Sequence, residues 1–353
     1  MIYRRPSYYD TFRCLGGSCP DTCCRDWSVV PDGDALADYA AAPSPLRERI
    51  TQNLVADEDG DVCFRLDERG MCALLTPDGL CAIQRDWGEP HLCAHCAAYP
   101  RFIEEYGSLT ESSLAISCPE AARLLLEAPR FTLIETDDGK ADPPFDGIDR
   151  TLLDGLEQSR ARVLALLDGP GGIWHKLRLT LAYAGELQAR IDRGRYGEMP
   201  ACPLILSPPQ DNPRRQAAAV QLLHVLSGLD PLRPGWPALL RNRAEQLARL
   251  SPAQYTALCV RYAQANPVCE RQAVNLACCF VFRHWHKAVN DDALYGRAAF
   301  VCAAVSALYH LCLFQPGEEA ALWSQFSREV EHDEDNLSEL IWALCGGAPA
   351  HLL

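Results

Sequence analysis

Cysteine is crowded at one end of this chain: Cys14, Cys19, Cys23, Cys24, Cys63, Cys72, Cys81, Cys93, Cys96 and Cys118 put ten of its 18 thiols into the first 118 of 353 residues. The segment that carries them is broken by Gly, Pro and Asp, as in CLGGSCPDTCC, DERGMC and TPDGLC. So little contiguous apolar pattern buries too little area to fold unaided, and a crosslink is required. The N-terminus, MIYRRPSYYDTFRC, has an Arg pair with no apolar stretch behind it, which is not a secretory leader. No segment approaches the roughly 20 uninterrupted apolar residues that span a bilayer. The chain is therefore expected in the cytoplasm, without membrane insertion, where structural disulfides do not persist. The front cysteines are expected to be thiols or metal ligands.

Charge narrows the partners. Lys and Arg number 33 against 47 Asp and Glu, a formal net charge of −14. Such a balance repels a phosphate backbone, so nucleic acid is not an expected partner.

The organisation along the chain predicts a mainly α protein with two parts: a loop-rich, cysteine-rich metal-binding module over residues 1–136 and an all-α helical domain over residues 150–353. In the first part, helices are expected on either side of Pro43, a hairpin around Glu68, Arg69 and Gly70, and a short helix from Pro119 to Leu126. Residues 137–149 and 197–213 are expected as linker and loop. From Thr151 on, the apolar period is helical, with Leu152, Leu156, Val163 and Leu167 on one side. Further helices are predicted at 174–193, 213–227, 236–250, 252–265, 268–289, 292–315 and 317–331. The GPGG run at 169–172 is a helix stop.

The spacing of the front cysteines suits metal. An all-thiolate site needs several sulfurs converging within about 2.3 Å of one ion, and closeness in sequence lowers the loop entropy of assembly. Cys14, Cys19 and Cys23 are closely spaced. Cys24 follows Cys23 directly, so the two serve different sites or one of them packs. Cys93 and Cys96 have the knuckle spacing of two intervening residues, with His95 between them. Ten cysteines could fill two four-cysteine sites with two over, or one site with several structural thiols. Zinc and iron–sulfur clusters both accept such ligands. The radical-enzyme spacing CxxxCxxC is absent, because position 26 is Asp.

The run YYDTFRCLGGSCPDTCCRDW, followed by CFRLDERGMCALLTPDGLCAIQRDWGEPHLCAHCAAYPRF, resembles the flagellin lysine-N-methylase family over residues 8–118. Its Cys19, Cys23, Cys24, Cys72, Cys81 and Cys93 series is also similar to small proteins described as zinc- or iron-chelating. The resemblance implies transfer of a methyl group from S-adenosylmethionine to lysine ε-amines of flagellin. That displacement needs a neutral amine and in-line approach, but no transition metal. A metal centre in such a protein is expected first in a structural role. The alternatives are a non-catalytic zinc- or iron-binding protein and a thiol redox sensor. No Gly-rich turn after a strand marks a cofactor pocket.

Other residues are weaker candidates. Tyr99, Arg101 and Glu104 follow the second cysteine group, where a Tyr or Glu could take the lysine proton and an Arg could bind a carboxylate. Tyr8, Tyr9, Phe12 and Trp27 flank the first group and are expected to cover it. Cys278, Cys279, His284 and His286 sit in a helical core pattern; residues two apart on a helix point about 200° apart, so the two histidines cannot share an ion. Cys259, Cys269, Cys302, Cys312 and Cys345 are read as core thiols, and Cys202 as a loop residue. The acidic run Glu329, Glu331, Asp333, Glu334 and Asp335 is read as a solvated helix end.

Overall fold

A computed structural model describes residues 1–57, 60–140, 147–197 and 212–345. The chain is 58% helical with a small mixed sheet, so the mainly α expectation holds.

The front third alternates short elements with turns. Strand β1 (Ile2–Pro6) is followed by α1 (Gly33–Tyr39) and α2 (Leu46–Gln52), on either side of Pro43 as the sequence predicts. Asp32 starts α1 by accepting from the Ala35 amide at 3.0 Å, satisfying one of the free amides of the first turn. Strands β2 (Leu54–Ala56) and β3 (Val62–Phe64) pair antiparallel. The predicted hairpin turn is present at Asp67–Met71, with Gly70 at φ 73°. A β-carbon there would also lie 2.7 Å from the Asp26 carboxylate, so both conformation and space call for glycine. Helices α3 (Ala82–Asp86) and α4 (Ala94–Ala98) each begin directly after a cysteine, Cys81 and Cys93.

Strands β4 (Arg101–Tyr106), β5 (Leu109–Leu114) and β6 (Leu133–Asp137) join β1 in a sheet of order β4-β5-β1-β6, with α5 (Pro119–Glu127) between the last two in sequence. β1 runs parallel to β5 and antiparallel to β6, with Tyr3 opposite Thr110 and Thr136. This sheet was not expected from the sequence. Its strands are short and charged, and β1 finds its neighbours more than a hundred residues away.

Helices α6 (Arg150–Asp168), α7 (Ile173–Ile191), α8 (Asn212–Leu226), α9 (Gly235–Ala248), α10 (Pro252–Ala265), α11 (Cys269–His284), α12 (Ala288–Asp291), α13 (Leu294–Cys312), α14 (Glu319–Phe326) and α15 (Glu334–Cys345) follow. They match the predicted segments with three differences. The 268–289 segment divides into α11 and α12, the 317–331 segment ends in a π-helical turn, Ser327–Glu331, and α15 lies beyond the last predicted segment. Residues 198–211 and 141–146, which include Cys202, most of the predicted loop and part of the predicted linker, lie outside the described residues. α13 is long and apolar enough to cross a membrane, yet 83% of its apolar window is buried within the protein. Its composition is that of a central core helix.

Packing divides the chain differently from the element pattern. One large core runs from Tyr8 and Phe12 through Leu114, Ile116 and α5 to Leu344, so the first residues and the sheet share it with the helices. A small separate core holds Ala35, Tyr39, Leu46, Ile50, Phe64, Leu74, Ile83 and Cys93.

The acidic run departs from its expectation. Glu329 and Glu331 are buried, not solvated. Glu331 accepts from His284 Nε2 at 2.9 Å and pairs with Arg283 at 2.9 Å, and Glu329 accepts the Leu232 amide at 2.9 Å. A spread of acids in sequence does not reveal partners this distant.

Candidate metal and substrate site

Nine of the ten front cysteines line one cavity of about 550 Å³: Cys14, Cys19, Cys23, Cys24, Cys72, Cys81, Cys93, Cys96 and Cys118. They come from separate stretches of chain brought together by identifiable bonds. The Cys72 amide donates to the Cys24 carbonyl at 2.9 Å, and Cys81 pairs with Leu75 across a β-bridge. Cys93 precedes α4, whose first amide, that of Ala94, is held by Asp32 at 2.7 Å, and Cys96 lies within that helix. The tenth cysteine, Cys63, is buried in β3 opposite Val55 and is not among the cavity residues.

Cys118 arrives from the other side. It precedes α5 and belongs to the large core. Arg328, fully buried on the π-helical turn, fixes the first cysteine loop beside it: Nε donates to the Ser117 carbonyl at 2.9 Å, Nη1 to Thr22 O at 3.2 Å, and Nη2 to Asp21 O at 2.8 Å. Arg233 adds a bidentate grip on the Asp21 carboxylate at 2.9 and 3.0 Å, and donates to Asp26 at 2.5 Å. The sequence gives no sign of these arginines, which act across two hundred to three hundred residues.

An aromatic wall completes the cavity. Trp27 donates Nε1–H to the Cys23 carbonyl at 2.8 Å, lies 5.8 Å from the Tyr99 ring and stacks on His332 at 5.6 Å. The Arg328 guanidinium sits 5.0 Å from the Trp27 ring centre. Tyr99 and Ser117 share a 3.0 Å hydrogen bond, and Ser117 also meets His332 Nε2 at 2.6 Å. Phe12 and Arg101 line the cavity too, with Arg101 over the Phe12 ring. Glu104 points elsewhere, into an ion pair with Lys287 at 2.7 Å. Tyr8 turns into the large core, where its hydroxyl meets Cys279 Sγ at 3.7 Å, and Tyr9 packs against that core.

Crowding governs the thiols' protonation. Burial pushes Cys72 up to about 11, with Cys24 and Cys81 adding to the rise. Burial likewise lifts Cys118 to about 11, opposed by the Ala121 and Glu120 amides and reinforced by Cys19 and Cys14. The adjoining thiols of Cys23 and Cys96 draw Cys24 and Cys93 down to about 7 and are themselves pushed up. Thiols such as Cys72 and Cys118, held protonated chiefly by burial and secondarily by neighbouring sulfurs, are the kind that a bound cation ionises. The donor set therefore fits a thiophilic metal. Among the described residues the thiols surround a volume: no group of three or more His, Cys, Asp or Glu is assembled as a metal site.

Outside the cavity, Cys278, Cys279, Cys302 and Cys312 are buried on helices and Cys259 and Cys269 are half-buried; Cys345, expected in the core with them, is instead exposed at the end of α15. His284, the last residue of α11, and His286, in the turn that follows it, face different carboxylates, Glu331 and Glu111.

No family model and no solved structure matches the chain. Curated relatives do. It is 27% identical over 130 residues to the flagellar biosynthetic protein FliU of Salmonella muenchen, covering 35% of this chain and 76% of that protein. The same identity and length of match hold for lysine-N-methylases of Salmonella typhimurium and Salmonella choleraesuis, of which only 32% is covered. Over about a third of its length, then, this chain is similar to FliU and the lysine-N-methylases, in keeping with the family its cysteine-rich segment resembles.

Proposed function

We propose that the chain is a cytoplasmic methyltransferase that transfers a methyl group from S-adenosylmethionine to lysines of flagellin, and that its cavity holds a cysteine-ligated metal centre, an iron–sulfur cluster or zinc. The observation that carries the metal part is the convergence of nine cysteines on one cavity. The names of the relatives carry the methyl transfer. The cavity's volume falls within the range of small-molecule sites, about 300–1,000 Å³.

The residues would hold the metal through Cys14, Cys19, Cys23, Cys24, Cys72, Cys81, Cys93, Cys96 and Cys118. When bound it supplies a crosslink for a region with a small core of its own, and positive charge amid the thiols. The methyl transfer is a displacement: the lysine nitrogen lone pair forms the N–C bond, the S–C bond breaks, and its electron pair stays on sulfur. The amine must first lose a proton. Trp27 and Tyr99 line the cavity, and aromatic rings attract sulfonium and ammonium cations; Asp21 and Glu120 line it too, their carboxylates paired with Arg233 and Arg123.

Purified protein incubated with isotopically labelled S-adenosylmethionine and unmodified flagellin tests this reading. Labelled methyl groups on flagellin lysines, read by mass spectrometry, are the expected result. No added methyl mass under either aerobic or anaerobic conditions overturns it.

A further inference from the structure

The nine thiols do not form one ring. Two sets can be separated by the bonds that fix them in place. Cys72, Cys81, Cys93 and Cys96 all pack against the small core with Tyr39, Leu74 and Ile83, and Cys24 is tied to them by the hydrogen bond from the Cys72 amide to its carbonyl. Cys81 and Cys72 are linked again through Leu75, which bridges to Cys81 and donates its amide to the Cys72 carbonyl at 2.9 Å. The second set has a different anchor. Cys118 belongs to the large core, and Arg328 clamps the Asp21–Thr22 segment, between Cys19 and Cys23, onto Ser117 beside it. Ser324 reinforces the clamp, donating to the same Ser117 carbonyl at 2.7 Å.

Solvent reaches one member of the second set directly. Cys14 is exposed, whereas Cys19, Cys23, Cys24, Cys72, Cys81 and Cys96 are half-buried and Cys93 and Cys118 are buried. Cys23 and Cys24, adjacent in sequence, form the seam between the sets: Cys14 and Cys118 are among the electrostatic neighbours of Cys23, and Cys24 is among those of Cys72 and Cys81. The counts that result, four and five, each suffice for a four-coordinate thiolate site.

We infer that the cavity holds two adjoining metal centres: an outer one on Cys14, Cys19, Cys23 and Cys118, clamped by Arg328 between the two cores, and an inner one drawn from Cys24, Cys72, Cys81, Cys93 and Cys96, enclosed by the small core. This rests on the metal reading proposed above. The inner centre holds the front region together, whereas the outer one joins that region to the helical body and includes the exposed Cys14. Trp27, bonded to the Cys23 carbonyl, and Tyr99, bonded to Ser117, place the aromatic wall against the outer centre.

Metal analysis of the full chain after anaerobic reconstitution, once with Zn²⁺ and once with iron and sulfide, is the test. Two centres per chain are expected. The double variant Cys14→Ser with Cys118→Ser should keep one centre and stay folded, while Cys81→Ser with Cys96→Ser should lose the other and melt at lower temperature. Because the second variant can fail to fold, the wild-type zinc form is also challenged with a chelator in steps and its freed thiols alkylated. Cys14, Cys19, Cys23 and Cys118 should become labelled as a group before Cys72, Cys81, Cys93 and Cys96. A single centre per chain, or concerted labelling of all nine thiols, overturns the division while leaving a metal site standing. Absence of bound metal in both reconstitutions overturns the metal reading itself.

Discussion

Two pairs of neighbouring cysteines, Cys23–Cys24 in the front loops and Cys278–Cys279 on α11, meet opposite fates. On a helix successive side chains diverge by about 100°. Cys279 therefore meets the Tyr8 hydroxyl, while Cys278 has Asp168 and Lys176 among its electrostatic neighbours. In the loop the Cys23 and Cys24 thiols both join the other thiols around a shared space. Regular structure isolates thiols as small apolar core residues, and irregular structure lets them gather. The contrast extends to the two regions as wholes: apolar packing holds the helical body, whereas the front region depends on a small core and on clamps from elsewhere in the chain.

The strongest way to break this comparison is Arg328→Met. It leaves three buried or half-buried carbonyls without their charged donor, and about 3–5 kcal/mol of stability should be lost, measured by chemical denaturation. A change below about 1 kcal/mol would mean the front loops hold themselves in place.

The helical body should show its own dependence on pH. Burial, with a contribution from Arg215, lowers His310 to about 4, while its bond to the Ser306 carbonyl opposes that shift. Tyr255 hydrogen-bonds to its Nε2 at 2.8 Å. The unfolded imidazole takes a proton near pH 6.5 that the folded one refuses until about pH 4. This contribution is therefore complete above the unfolded value and is lost as pH falls through that window. His310→Gln should flatten the fall in stability by up to about 1.4 kcal/mol per pH unit, read from denaturation curves at several pH values. An unchanged slope would show that the ring is already protonated in the fold.

Smaller effects sharpen the comparison. Cys278→Ala should lose roughly 1 kcal/mol of packing and no metal, measured by melting and metal analysis together. Metal loss equal to that of a cavity cysteine would erase the distinction between the two regions. Arg249→Ala, at an exposed pair with Glu245, should leave both melting and metal content unchanged.

What the sequence discloses follows the same division. Helices α6 to α11 could be read because apolar period and Pro or Gly punctuation are local properties. The sheet could not, since Ile2–Pro6 acquires its partners from Leu109–Leu114 and Leu133–Asp137. Nine cavity cysteines were visible by count and spacing. Their division was not, because it depends on which core each joins and on Arg328. Cys63 matched its neighbours in spacing and yet belongs to a strand, and Glu329 and Glu331 looked solvated because their partners lie on other elements.

The Arg328 clamp also imposes an order of events during synthesis. Thr22 and Arg328 are 306 residues apart, a gap that takes roughly 15–60 s to translate at about 5–20 residues per second. Throughout that interval the first cysteine loop exists without the side chain that seats it, although its thiols have already been made. The inner set needs nothing beyond Cys96 and can close early. The outer set must wait until Arg328 has been made, so the growing chain carries those thiols unseated throughout that interval.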